Sequence, residues 1–328
     1  MLVGLTYDLK ADYLSEGYDA ELVSECDSSL TIETLEQTLR DLGYETIRIG
    51  NVKALVTYLA QGKRCDLVFN IAEGLFGLLR ESQIPALLDA YQIPYVFSDS
   101  FVLAICLHKG FAKQVVAEHG VKTAPFFLIQ HLSDIERIHL PFPLFLKPVA
   151  GGTGIGISEH SLVDSPEALM QVAQHLLEVY AQPVLVETYL TGREFTVGIT
   201  GTGQEAESVG VMEILVDASS DKGIYSYKTK QEYLSCTRYI IPDVDTARLC
   251  EQVALGAWKA LGCRDGGRVD VRMDGNGVVH FLEVNPLAGL HPVDSDLPIL
   301  SSMHGVSYAA LLKKIMDSAC KRSSLCAS

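Results

Sequence analysis

Positive charge is scarce in this chain. Lysine and arginine number 26 against 41 aspartates and glutamates over 328 residues, a formal net charge of -15. An average surface of that sign repels nucleic-acid backbones and anionic membranes, so neither is an expected partner. An anionic small substrate would need a locally basic pocket. Long apolar runs are missing too: Leu2 to Leu5 and Phe126 to Leu128 fall far short of the roughly 20 residues that cross a bilayer. The N-terminus shows no basic stretch followed by a cleavable apolar segment, and the expectation is a cytoplasmic protein. Cysteines are present but never as a close C-x-x-C pair. The eight, Cys26, Cys65, Cys106, Cys236, Cys250, Cys263, Cys320 and Cys326, read as buried or incidental thiols, because a chain of this length needs no disulfide framework. Internal repeats and low-complexity tracts are absent.

What is present is a 48% hydrophobic chain, enough for a substantial core and long enough for two or three domains. "MLVGLTY" reads as a buried strand. In "TIETLEQTLRDLGYETIRI" the leucines at 35, 39 and 42 share a helical stripe that Gly43 stops. "CDLVFNI" is another strand, and "RESQIPALLDAYQIPYVF" a helix followed by a short strand, an α/β alternation. From about Val102 the pattern becomes a smaller α+β module: the helix "LHKGFAKQVVAEHG", strands around Phe126 and Phe145, and the helix "SPEALMQVAQHLLEVY", capped by Ser165 with Pro166 in its first turn. "PVLVETYLTGREFTVGI" reads as a strand pair. A polar excursion from Asp217 to Asp245, a helix ending near Leu261 and a frayed tail "KRSSLCAS" complete the chain.

Three stretches carry candidate chemistry. In "GGRVDVRMDGNGVVHFLEVNP" the turn at Gly275 to Gly277 pairs two alternating runs and brings Asp270 opposite Glu283 to within one residue of register. Period two puts Arg268, Asp270 and Arg272 on one face, and Phe281, Glu283 and Asn285 on one face of the second strand, with Leu282 and Val284 opposite. The polar face is either a solvated surface with cross-strand charge pairs or a set of oxygen ligands, Asp270, Glu283 and Asn285, for a hard cation such as magnesium carrying phosphates. "KPVAGGTGIGIS" is either a flexible hairpin or a loop whose amides wrap a phosphate, with Lys147 reaching the same group. It matches neither G-x-x-x-x-G-K-[ST] nor G-x-G-x-x-G. "KGIYSYKTKQEY" is either a solvated loop or a third source of cations.

Taken together, "ESQIPALLDAYQIPYVFSD", "HKGFAK", "LFLKPVAGGTGIGIS", "VLVETYLTGREFTV", "LGCRDGGRVDV", "FLEVNPLAGLHP" and "LPILSSMHGVSYAALLKKIM" resemble, in order and spacing, the D-alanine–D-alanine ligase family of the ATP-grasp superfamily. The resemblance implies an ATP-grasp fold behind an N-terminal Rossmann-like domain. Residues 1–100 would form that first domain, 101–186 the central lid with the glycine loop, 187–316 the C-terminal domain with the metal site, and 317–328 a tail. It implies ATP and two magnesium ions as cofactors, with manganese as a substitute, and a homodimer. Lys109 and Lys147 would contact the phosphates, and the loop around Thr153 would close over them. Glu187 and Leu190 would line the adenine pocket, and Glu194 would accept from the ribose. Lys230 or Lys228 would be a further phosphate lysine. Arg268 would steady a tetrahedral intermediate, Gly289 would lend its amide to the acyl site, and Asp270, Glu283 and Asn285 would hold the metal.

The same resemblance marks departures. The family's first-domain glutamate, which holds the first substrate's ammonium, has Glu25 as its nearest counterpart, with Glu21 and Glu16 also available. The usual H-G-x-x-G-E-D-G is replaced by "NIAEGLFGLLRESQ", bringing in Glu73, Arg80 and Glu81. The paired serines of the central loop are Thr153 and Gly154. "HPVDSDLP" sets Asp294 and Asp296 around Ser295, where a free carboxylate would need Arg80, His291 or another cation as compensation. The expected activity is therefore a D-alanine–D-alanine or similar ligase, a ligase for another amino-acid, peptide or amine pair, or a nucleotide-binding protein without turnover.

Overall fold

The computed structural model describes residues 1–152, 154–216 and 237–325. Thr153, Lys228 and Lys230 lie outside the described residues.

The chain opens with a three-stranded parallel sheet, β1 (Leu2–Thr6) between β2 (Glu45–Gly50) and β3 (Leu67–Asn70). After the short α1 (Lys10–Ser15), α2 (Ser29–Asp41) makes the crossover from β1 to β2. The hydroxyl of Ser28 caps α2 by accepting from the Thr31 amide at 3.2 Å, which satisfies a donor the helix cannot. Leu35 and Leu39 are buried and Leu42 packs beside them, while Gly43 takes a φ of +92° that ends the helix. Helices α3 (Val52–Ala60) and α4 (Gln83–Ala90) cover the other side with Leu55, Leu59 and Leu88.

A second sheet of four strands runs in the order β4 (Phe126–Ile129), β7 (Val184–Thr188), β5 (Leu144–Pro148), β6 (Leu162–Val163). Across it lies α7 (Pro166–Tyr180), whose Leu169, Ala173 and Leu176 meet Leu144, Leu146 and Val186. Ser165 caps this helix through the Ala168 amide at 3.3 Å.

The third sheet is antiparallel throughout. It runs β10 (Thr237–Ile240), β9 (Glu207–Val216), β8 (Glu194–Thr200), β11 (Gly266–Met273), β12 (Val279–Asn285). Its core, with Phe195, Phe281 and Trp258 fully buried, is closed by α5 (Ser100–Leu107), α6 (Lys109–Glu118) and α8 (Val244–Leu261).

Three sequence expectations change. The strands of "PVLVETYLTGREFTVGI" do not pair: β7 belongs to the second sheet and β8 to the third. Helix α6 and all but the first residue of α5 fall within residues 101–186, yet Val102, Cys106, Ala112 and Val116 bury into the same core as Trp258, against the third sheet. The tail expected from 317 is instead the end of a buried helix. After α9 (Asp296–Met303), α10 (Tyr308–Arg322) places Leu311, Leu312, Ile315, Met316, Ala319 and Cys320 on one helical face against β1 and α2. Arg322 anchors that end on fully buried Asp265 at 2.7 Å.

Candidate active site

The hairpin of β11 and β12 sets Asp270 opposite Glu283 and Arg268 opposite Asn285. The register shifts after Asp270, so that Val271 pairs with Phe281. A bulged residue resets the side-chain alternation. Phe281 therefore faces the core, fully buried, and leaves the polar face to which period two assigned it, while Leu282 joins Glu283 in lining the cleft. Asp270 is held from three sides: the Thr196 hydroxyl donates to Oδ1 at 2.7 Å, Asn285 Nδ2 to Oδ2 at 3.3 Å, and Arg268 pairs with the same Oδ2. Burial opposes the charge on Arg268, but Asp270, Asp296 and Glu283 more than offset it, so the guanidinium holds its proton more tightly than usual.

Facing this hairpin is a layer of buried lysines. Lys147 and Phe145 share a face of β5, and Phe145 pairs in register with Glu187 on β7. Lys147 Nζ consequently lies 3.1 Å from Glu187 Oε1 and 3.8 Å from Glu283 Oε2, with Lys109 Nζ 3.6 Å from that same Glu283 oxygen. Sequence reading missed Lys113. It is fully buried, 2.7 Å from Glu187 Oε2, and donates to Thr123 Oγ1 at 2.8 Å. The i, i+4 spacing of lysines in "HKGFAK" was the available signal. Burial lowers the pKa of Lys109 and of Lys113. Lys147 goes the other way, because Glu187 and Glu283 outweigh the same burial. Burial would raise Glu187, yet Lys113 and Lys147 hold it below the ordinary carboxylate range.

The glycine loop approaches the first domain closely. Glu25 Oε1 accepts from the Gly152 amide at 2.5 Å, and Glu25 Oε2 accepts from Arg80 at 2.8 Å. A Cβ on Gly152 would come 2.4 Å from Glu25 Oε1, so any larger residue there would push the Glu25 carboxylate aside. Lys109 Nζ donates to the Gly151 carbonyl at 2.5 Å. Of the alternatives to Glu25, Glu21 accepts from Tyr180 at 3.2 Å, and Glu16 is exposed.

Two connected hollows flank the hairpin face. The first, an open cleft of about 770 Å³, is lined by Phe145, Lys147, Glu187, Leu190, Glu194, Leu282 and Glu283 among others. At its mouth Arg272 reaches Glu194 at 2.8 Å and the Tyr189 hydroxyl at 2.9 Å. The second carries Glu25, Glu73, Glu81, Lys109, Arg268, Asn285 and Gly289. Gly289 packs on Ser295, whose Oγ would stand 2.7 Å from a Cβ there. Of the acidic pair around Ser295, Asp296 lies 3.8 Å from Arg268 Nε, and Asp294 sits 3.2 Å from His291. Arg80 is turned away to Glu25.

Among the described residues no group of three or more histidine, cysteine, aspartate or glutamate side chains gathers as a metal cage. The hairpin offers two carboxylates and one carboxamide on a shared face. That set suits a hard cation that takes its remaining oxygens from water and phosphate, as magnesium does.

A family profile described as "D-ala D-ala ligase C-terminus" matches residues 115–317. The chain is 33% identical over 262 residues to a D-alanine–D-alanine ligase of Bordetella avium, covering 78% of this chain and 79% of that one. It is 30% identical over 287 residues to a D-alanine–D-alanine ligase of Aquifex aeolicus, covering 87% and 93%. In three dimensions it is similar to the D-alanine–D-alanine ligase of Bacillus anthracis complexed with ATP, with a TM-score of 0.74, 19% identity and 99% of both chains covered. The chain belongs to the D-alanine–D-alanine ligase family and has its ATP-grasp fold.

Proposed function

We propose that this protein joins a carboxylate to an amine, using ATP to activate the carboxylate as an acylphosphate. It is a carbon–nitrogen ligase of the ADP-forming kind. The observation that carries the reading is the convergence of Lys109 and Lys147 on Glu283, directly opposite Asp270. Buried cations and acidic oxygens meet there where the two hollows share Glu283 and Arg268, as triphosphate chemistry requires.

In this reading the adenine lies against Leu190 and the backbone after Glu187, and Glu194, oriented by Arg272, accepts from the ribose. Lys109, Lys147 and the amides of the loop at residues 151–156 hold the phosphates, with Thr153 and Lys228 or Lys230 completing the set. Asp270, Glu283 and Asn285 would hold magnesium, which supplies charge neutralisation at the phosphate oxygens when bound. The donor carboxylate oxygen attacks the γ-phosphorus and ADP departs. The amine nitrogen then attacks the activated carbonyl, Arg268 and the Gly289 amide stabilise the oxyanion, and phosphate leaves. The small second sheet with its glycine loop acts as the lid that keeps water from the acylphosphate.

The relatives' substrate, D-alanine as both donor and acceptor, is one reading. A second, a different amino-acid, peptide or amine pair, is favoured by Asp294 and Asp296 beside the acyl site and by the engagement of Glu25 with Arg80 and Gly152. We extend the proposal to a cytoplasmic homodimer, which light scattering tests. Among the described residues no single helix is long and apolar enough to cross a membrane.

The deciding experiment follows ADP release with magnesium and ATP over D- and L-amino acids, singly and in pairs, with mass spectrometry of each positive mixture. D-alanyl-D-alanine would support the first reading and another amide the second. Chelation should abolish turnover, and manganese should restore it. No nucleotide binding and no ADP with any pair would overturn the ligase assignment.

A further inference from the structure

The second hollow is lined by four carboxylates, Glu25, Glu73, Glu81 and Glu283, and by two cations, Lys109 and Arg268. Glu25 is neutralised by Arg80 and by the Gly152 amide. Lys109 is committed to Glu283 and the Gly151 carbonyl, and Arg268 to Asp270 and Asp296. Glu73 and Glu81 remain. Both line the hollow, and among the described residues neither side chain makes a hydrogen bond or ion pair. Glu81 is only 8% exposed. A carboxylate so deeply buried, with no ion-pair partner in contact, either keeps its proton or takes a closer counter-charge from a bound molecule.

The fold holds these two groups in place. Gly74, directly after Glu73, takes a φ of +70° and donates its amide to Asp8 at 2.8 Å. A Cβ on it would stand 2.8 Å from the Arg80 carbonyl oxygen, so the chain doubles back tightly and brings residue 73 beside the turn carrying Glu81. Burial, and then repulsion from Glu81 and Glu25, raises Glu73 well above the ordinary carboxylate range. Burial raises Glu81 as well, against the pull of Arg80. A cation seated between them would reverse both effects.

We propose that Glu73 and Glu81 form a cation subsite in the second hollow, and that the amino acid bound there is a diamino acid whose second ammonium they receive. The inference rests on the ligase reading for the role of the cleft. Lys109 and Arg268, the cations of the carboxylate-activating chemistry in that reading, line the same hollow as the two glutamates. A molecule that carries both a carboxylate and a second cation matches a hollow lined by both signs of charge, whereas alanine supplies only one ammonium.

The test uses the full-length protein with a non-hydrolysable ATP analogue and magnesium. Calorimetry measures binding of the D- and L-forms of alanine, 2,3-diaminopropionate, ornithine and lysine to the wild type, to Glu81→Gln and to Glu73→Gln. Expected is binding of at least one diamino acid about 10-fold or more tighter than alanine, weakened about 10- to 100-fold by Glu81→Gln, the scale for losing a charged hydrogen bond. Affinity for the ATP analogue should stay unchanged, which separates the subsite from misfolding. A parallel comparison of ADP release should show the loss in KM more than in kcat. Equal binding of alanine and every diamino acid, or affinities that both substitutions leave untouched, would overturn the subsite. The ligase reading fails separately, through absence of nucleotide binding and of ADP release with every pair.

Discussion

Lys147 and Glu187 face each other across neighbouring strands of the second sheet, 3.1 Å apart, with the lysine also reaching toward Glu283 on the third. Glu187 is therefore the counter-ion for two buried lysines, Lys147 and Lys113, as well as part of the cleft wall. Its replacement by glutamine leaves Lys113 buried without its ion-pair partner. Glu187→Gln should destabilise the protein by about 3 kcal/mol, the cost of breaking one partner of a buried pair. Urea unfolding measures it, and adding Lys113→Met should recover part of the loss.

Arg268 sits between Asp270 and Asp296 at the junction of the two hollows. If it stabilises the oxyanion, Arg268→Ala should lower kcat by about 100- to 1,000-fold while changing nucleotide affinity little. Steady-state kinetics paired with nucleotide titration separates the two. An equal loss in both would assign the arginine to ground-state phosphate binding.

Asp27 has its carboxyl pushed up to about 8 by burial and then by the negative charge of Asp8, with a hydrogen bond from Thr31 pulling slightly the other way. A folded-state pKa above the unfolded value gives stability that is fully present below about pH 4. It is lost as pH rises toward 8, because the unfolded chain releases the proton first. Asp27→Asn should flatten that part of the pH dependence. Urea midpoints at pH 5 and pH 8 test this: wild type should lose more stability between them than the variant.

Gly267 lies under the hairpin pair of Arg268 and Asn285. A Cβ there would stand 2.5 Å from the Asn285 carbonyl oxygen and 2.8 Å from the Trp258 ring. Backbone and a fully buried indole cannot yield cheaply, so Gly267→Ala should cost about 1–3 kcal/mol and displace Asn285. A lowered melting temperature, together with a raised magnesium requirement for ADP release, would show both effects.

Much of the candidate site is legible in the sequence. Alternation along "RVDVRMDGNGVVHFLEVN" with a turn in its middle sufficed to put Asp270 beside Glu283, since strand period and hairpin pairing are local properties. Alternation alone failed at Phe281, where one bulged residue reverses the faces. A bulge leaves no trace in polarity when both Phe281 and Leu282 are apolar. The tail expected from 317 failed differently: residues 317–322 complete α10, whose burial depends on β1 and α2 near the other end of the chain.

The sequence by itself determined the elements, the family and the chemical types at the site, because periodicity, capping and ordered motifs are written within a few residues of one another. The tertiary structure decided which charges neutralise which. Arg80 turns to Glu25 instead of Asp294 or Asp296, Lys113 joins Lys147 on Glu187, and Glu73 and Glu81 are left facing the hollow. The physical reason is that an ion pair depends on separation and burial in space. Separation along the chain sets neither.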